Sequence, residues 1–129
     1  STHGDVVHST DVENIMQMVG YQNVGVGWDI VNMWSATNER IPDVYNRLKK
    51  YIHLVHVKNL KIENGKEQIV LMSEGNTPVF EGIDLLAKDK YNGYYSFVWE
   101  KYWFPELPEP EQAFTDYITA MRQHFLMAG

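Results

Sequence analysis

The sequence predicts an α/β fold built on a mainly parallel sheet with helical crossovers. Segments with apolar residues at helical spacing take turns with short runs of strand-type alternation along the chain. Such alternation buries its apolar faces best when each helix crosses over between parallel strands. Three of the expected strands also end in polar groups, at Asp29, His56 and Glu100, and the strand ends of parallel α/β folds are where loops carry functional side chains.

The elements follow in order. Thr10-Asp-Val-Glu13 fits a capping box, and Val12, Ile15, Met16 and Val19 continue at helical spacing to a stop at Gly20. Val24-Gly-Val-Gly-Trp28 is a strand that delivers Asp29, its glycines marking close backbone packing. A loop, IVNMWSATNERI, leads to Pro42 at a first helical position, and Val44, Tyr45, Leu48 and Tyr51 make the apolar side of a second helix. In segment 52–58, Ile52, Leu54, His56 and Lys58 share one face of a strand, and His53, Val55 and Val57 share the other.

Glu63-Asn-Gly-Lys66 is a tight-turn signal between LKI and EQIVLM, so a hairpin excursion is expected there. Phe80 to Lys88 is helical, with Ile83, Leu85, Leu86 and Ala87 apolar. Tyr91-Asn-Gly93 then turns the chain into the strand YYSFVWE, and prolines 105, 108 and 110 form a rigid connector in preference to a peptide ligand. From Glu111 to Met127, Phe114, Tyr117, Ile118, Met121 and Phe125 define the clearest helix, ending at Ala128-Gly129.

Bulk properties narrow the function classes. The 129 residues, 44% of them hydrophobic, suit one domain. A formal charge of −6 with no basic run longer than Lys49-Lys50 offers no footprint for nucleic acid or an anionic membrane. There is no cysteine, so any metal must be held by His and carboxylate ligands. No apolar run reaches the roughly 18 residues that cross a bilayer, and the first residues do not read as a targeting segment. A cytoplasmic protein is the expectation.

Asp29, His56 and Glu100 together make an Asp/His/Glu set suited to Mn, Zn, Mg or a similar divalent cation. Each also has an ordinary reading: Asp29 as a turn cap, His56 as a hydrogen-bonded core histidine, Glu100 as the ion-pair partner of Lys101 or another lysine. Trp28 and Trp99 read as core, whereas Trp34 and Trp103 divide evenly between packing and stacking against a sugar ring. His8, His53 and His124 have no partner pattern.

The pieces STHGD, NVGVGWDIVN, IHLVHVKN, VLMSEGNTPV and YNGYYSFVWEKYWFPELPEPEQAF, taken in order, resemble the C-terminal half of a xylose-isomerase-like TIM barrel. That superfamily holds sugar isomerases and epimerases together with endonuclease IV-type proteins. The last piece is the most specific, being similar to a subgroup that reads YYS-hydrophobic-EWEK-x-W-H-P-E. The resemblance implies a partial (β/α)8 barrel over residues 1–129: roughly its last three strands with their helices, plus the hairpin excursion. Thr2-His3-Gly4 then follows strand five, and Asp29, His56 and Glu100 end strands six, seven and eight.

In that family a divalent metal sits among a Glu, an Asp, a His and a second Glu after strands five to eight, and the two Glu residues also move a substrate proton. Asp29 and His56 match two of these ligands, and Lys58 matches a family lysine in an H-V-K-D segment. Ser1 stands where the first Glu is expected, Val98 where the second is, Asn32 at a His, Asn59 at an Asp and Phe104 at a His. Glu100, two residues beyond Val98 on the same strand face and about 6.6 Å away, is the replacement candidate.

The resemblance therefore implies a divalent metal (Mn, Mg, Zn or Co) on Asp29, His56 and Glu100, proton transfer by Glu100 and Lys58, and a carbohydrate met by His3, Asn32, Trp34 and Trp103. A non-catalytic relative that binds carbohydrate or another subunit is the alternative, favoured by the substitutions. A three-stranded piece of barrel also leaves strand edges open, so a homo-oligomer or association with a missing barrel half is expected.

Overall fold

A computed structural model describes residues 1–128. The elements run α1 (Ser9–Val19), β1 (Val26–Asp29), α2 (Ile30–Thr37), α3 (Ile41–Leu48), β2 (Ile52–Val57), β3 (Asn59–Glu63), β4 (Lys66–Val70), α4 (Val79–Lys88), β5 (Tyr95–Phe97) and α5 (Pro110–Ala128). They divide into two compact units, one of Ser1–Val57 with Pro78–Ser96, the other of Lys58–Thr77 with the chain from Phe97 onward.

The first unit carries the sheet β1-β2-β5, in which β1 and β2 run parallel. Trp28 pairs in register with Val55, and both are fully buried, as is Val57. On the opposite face Leu54 and His56 are half-buried, so the expected alternation along β2 holds. Helices cover the Trp28 side. The Trp28 ring stacks on Tyr45 of α3 at 5.8 Å, and a Cβ on Gly82 of α4 would lie 2.9 Å from Ile30 and 3.3 Å from Trp28. Close packing is met at Gly25, just before β1, where a Cβ would fall 2.1 Å from the His53 ring, but not at Gly27, where it would make ordinary contact with Ser1 at 3.5 Å.

Three local expectations need correction. The segment after Asp29 is not a loop but α2, whose N-cap is Asp29 itself: its Oδ1 accepts the Asn32 N–H at 2.9 Å, and Asn38 closes the helix in the left-handed region. The capping box at Thr10 does not form. The N-cap of α1 is His8, two residues earlier, and Ser9 gives its N–H and hydroxyl to Glu39, at 3.0 and 2.6 Å. Of the expected apolar face of α1, Val12 and Met16 are buried while Ile15 is exposed.

The last strand is the third correction. β5 ends at Phe97, so Val98, Trp99 and Glu100 lie beyond it and strand alternation no longer relates Val98 to Glu100. Helix α3 starts one residue before the expected Pro42, at Ile41, and a 3-10 turn at Lys49–Tyr51 leads into β2.

In the second unit β3 and β4 form the expected antiparallel hairpin. Its turn uses Asn64 at φ 51° and Gly65 at φ 75°, the two positive values that a tight Asn-Gly hairpin turn demands. Asn59, at the start of β3, is buried and holds the loop beyond β4. Its Nδ2 donates to the Met72 carbonyl at 2.9 Å, while its Oδ1 accepts from the Leu60 N–H at 3.0 Å and the Thr77 hydroxyl at 2.6 Å. At the end of β5, Phe97 stacks on Trp99 and on Tyr117 of α5 within this unit.

Helix α5 opens with Pro110, whose missing N–H costs nothing at a first helical position. Its Ala113 and Met121 are buried, whereas Phe114, Ile118 and Phe125 of the expected apolar face are exposed. The expected stop at Ala128-Gly129 includes Gly129, which lies outside the described residues. Among the described residues no helix is long and apolar enough to cross a membrane.

Candidate metal centre

Parallel pairing creates the site. Asp29 ends β1 and is the register partner of His56 in β2, so the two side chains leave the same face of neighbouring strands. Asp29 is completely buried, whereas His3 is exposed and His56 half-buried. One carboxylate oxygen, Oδ1, caps α2 through the Asn32 N–H. The other, Oδ2, faces His3 Nε2 at 3.0 Å.

His3 reaches that position because Thr2 straps the chain alongside β1. The Thr2 N–H donates to the Gly27 carbonyl at 3.1 Å, the Thr2 hydroxyl oxygen accepts the Asp29 N–H at 3.0 Å, and the Thr2 carbonyl accepts from Asn32 Nδ2 at 2.8 Å. Ser1, one residue further back, places its Oγ 3.4 Å from His56 Nδ1.

His3, Asp29 and His56 each offer one ligand atom, and these atoms lie within 4.8 Å of one another. Two ligands on one small divalent ion, bound at about 2.0 to 2.2 Å, are at most about 4.3 Å apart. A tetrahedral ion holds such ligands about 3.4 Å apart, so the cluster draws in by up to about 1.4 Å to grip one. Two imidazoles and one carboxylate fit a divalent transition metal in type as well as in number.

The other expected residues sit as follows. Lys58 is buried and lies 3.1 Å from Glu100 Oε1, both in the second unit. Lys101, the other lysine weighed as a partner for Glu100, donates instead to the Pro105 and Leu107 carbonyls and pairs with Glu109. Asn32 is engaged with Thr2, Trp34 is half-buried in α2, and Trp103 is 73% exposed, edge-on to Tyr102. The roles of Ser1 and Thr2 were not readable from spacing, because they arise from hydrogen bonds between residues 27 and 55 positions apart.

A parallel strand pair with a carboxylate and an imidazole at its C-terminal ends and helices packed on the other face is a section of a β/α barrel. The chain belongs to the xylose isomerase-like TIM barrel family, whose model matches residues 2–124. A crystal structure of a xylose isomerase domain protein from Planctomyces limnophilus is similar, with a TM-score of 0.65 at 19% identity, over 91% of this chain and 42% of that one. This chain thus spans less than half the length of that protein, and the likeness concerns the fold. No curated protein matches the chain.

Proposed function

We propose that the chain is the C-terminal part of a sugar isomerase/epimerase-like protein in which Asp29 and His56 hold a divalent metal beside a carbohydrate. The supporting observation is the convergence of His3, Asp29 and His56 at the strand ends. Bound there, a divalent ion would supply Lewis acidity toward a sugar carbonyl or hydroxyl.

The protein's own groups do the rest on this reading. The β1-β2 register holds the Asp29 carboxylate and the His56 ring side by side, and the Asn32 N–H keeps Oδ1 oriented so that Oδ2 points outward to the site. Lys58 and Glu100, hydrogen-bonded to each other at 3.1 Å within the second unit, are the proton-carrying candidates that the family resemblance implies. Trp34 and Trp103 are the sugar-stacking candidates.

Ser1 and Val98, at the two positions where the family resemblance calls for Glu, favour a second reading: a non-catalytic relative that binds carbohydrate or another subunit. Calorimetric titration with Mn, Mg, Zn and Co separates them. Micromolar binding that His56→Ala abolishes supports the metal reading, and no binding of any of the four overturns it. If metal binds, Glu100→Gln should abolish proton exchange on a sugar substrate while leaving metal affinity within about 3-fold. Loss of affinity with that variant would instead make Glu100 a ligand.

A further inference from the structure

We infer that His3 is itself a metal ligand, and that it changes the class of metal this site selects. The inference rests on the metal reading proposed above and deepens it.

The family resemblance implies a set dominated by carboxylates, two Glu and one Asp around a single His. Here the residue at the first Glu position is Ser1, whose hydroxyl is 3.4 Å from the His56 ring, and that at the second is Val98, which has no donor atom. Two hard oxygen donors are gone. In their place the Thr2 strap brings His3 Nε2 to 3.0 Å from Asp29 Oδ2. The converging donors are then two imidazoles and one carboxylate, all within the first unit.

Donor type decides selectivity. Mg is held by oxygen and parts reluctantly with its water, and Mn also favours oxygen-rich sets, whereas imidazole suits Zn, Co, Ni and Fe(II). Two imidazoles and a carboxylate leave positions on the ion open for water or a substrate oxygen. The site described by His3, Asp29 and His56 accordingly prefers Zn or Co to Mg or Mn.

Zn outranks Mn at almost any site with nitrogen and oxygen donors, so a bare preference is a weak test. The diagnostic is how far the preference depends on His3. The His3 side chain is 45% exposed, so its replacement removes little packing. Competition calorimetry with Zn, Co, Mn and Mg on the whole chain is the measurement, together with the visible absorption of bound Co, which reports nitrogen ligation.

His3→Ala and His3→Gln are each expected to weaken Zn and Co binding by at least about 30-fold. Mn and Mg should shift by less than about 3-fold, and the Co spectrum should lose intensity. Zn affinity that survives both variants within about 3-fold, with an unchanged Co spectrum, overturns the role of His3. It leaves the metal reading standing as long as His56→Ala still abolishes binding. Equal affinity for Mg and Zn in the parent chain overturns the inference in the same way. Absence of binding for every metal overturns both together.

Discussion

Replacing Gly75 tests how the Asn59 side chain organises the second unit. Gly75 has φ −79° and ψ 165°, a conformation open to any residue, so alanine there brings no backbone strain. What alanine meets is Asn59: an added Cβ would lie 2.0 Å from its Cγ and 2.2 Å from its Oδ1. Asn59 must leave, breaking its bonds to Met72, Leu60 and Thr77. At about 1 kcal/mol net for each of three bonds, Gly75→Ala should cost about 3 kcal/mol.

Asn59→Ala removes the same bonds and should cost a similar amount, but it also removes the obstacle. In that background Gly75→Ala should stabilise the protein by about 0.5 kcal/mol, because alanine restricts the unfolded chain more than glycine does. The sign of one substitution thus reverses with its neighbour. Urea unfolding of the four proteins in the double-mutant cycle measures this directly. Costs that add to within about 0.5 kcal/mol would refute the reasoning.

Further outcomes concern acid, alkali and assembly. Burial pushes the Glu39 carboxyl up, but the Ser9 hydroxyl and N–H bonds outweigh it and hold its pKa below the ordinary 4.5. Its stabilising contribution is therefore complete above that value and lost as the pH falls through the folded pKa, so Glu39→Gln should flatten part of the acid limb of a stability profile. Burial, and then the bond to Asp89, push the Tyr45 hydroxyl from 10.0 up to about 12. That contribution is complete below pH 10 and is lost as the pH rises toward 12. Tyr45→Phe should remove the loss, followed by unfolding alongside tyrosinate absorbance. Sedimentation should give a mass above the 15.0 kDa of one chain, since Phe114, Ile118 and Phe125 expose an apolar stripe on α5. A 15.0 kDa particle that unfolds cooperatively would refute this.

Much of the fold was legible because local chemistry agreed with the global arrangement. Asn64-Gly65 had only one easy turn to adopt, and Val55 and Val57 alternate with Leu54 and His56 as a half-covered strand requires. Helix α2 is hidden in the sequence because Asp29 does two jobs in one place. It ends β1 and caps α2 at once, so no turn residues separate strand from helix. The apolar run Ile30, Val31 and Met33 carries little periodicity over eight residues.

The site was partly legible for a related reason. Asp29 and His56 stand at the ends of recognisable strands, and parallel pairing does the rest. The approach of His3 depends on Thr2 bonding to residues far along the chain, and the Lys58 to Glu100 pair spans 42 positions. No window of sequence contains either contact.

The Thr2 strap divides the cluster into a fixed part and an adjustable one. Asp29 and His56 are held apart by the spacing of adjacent strands, about 4.8 Å, which no side-chain substitution within the sheet alters. The third donor hangs on three hydrogen bonds made by a single threonine. On the metal reading proposed above, substitution at Thr2 or Asn32 would retune metal affinity while the barrel strands stay as they are, through a strap located outside the sheet.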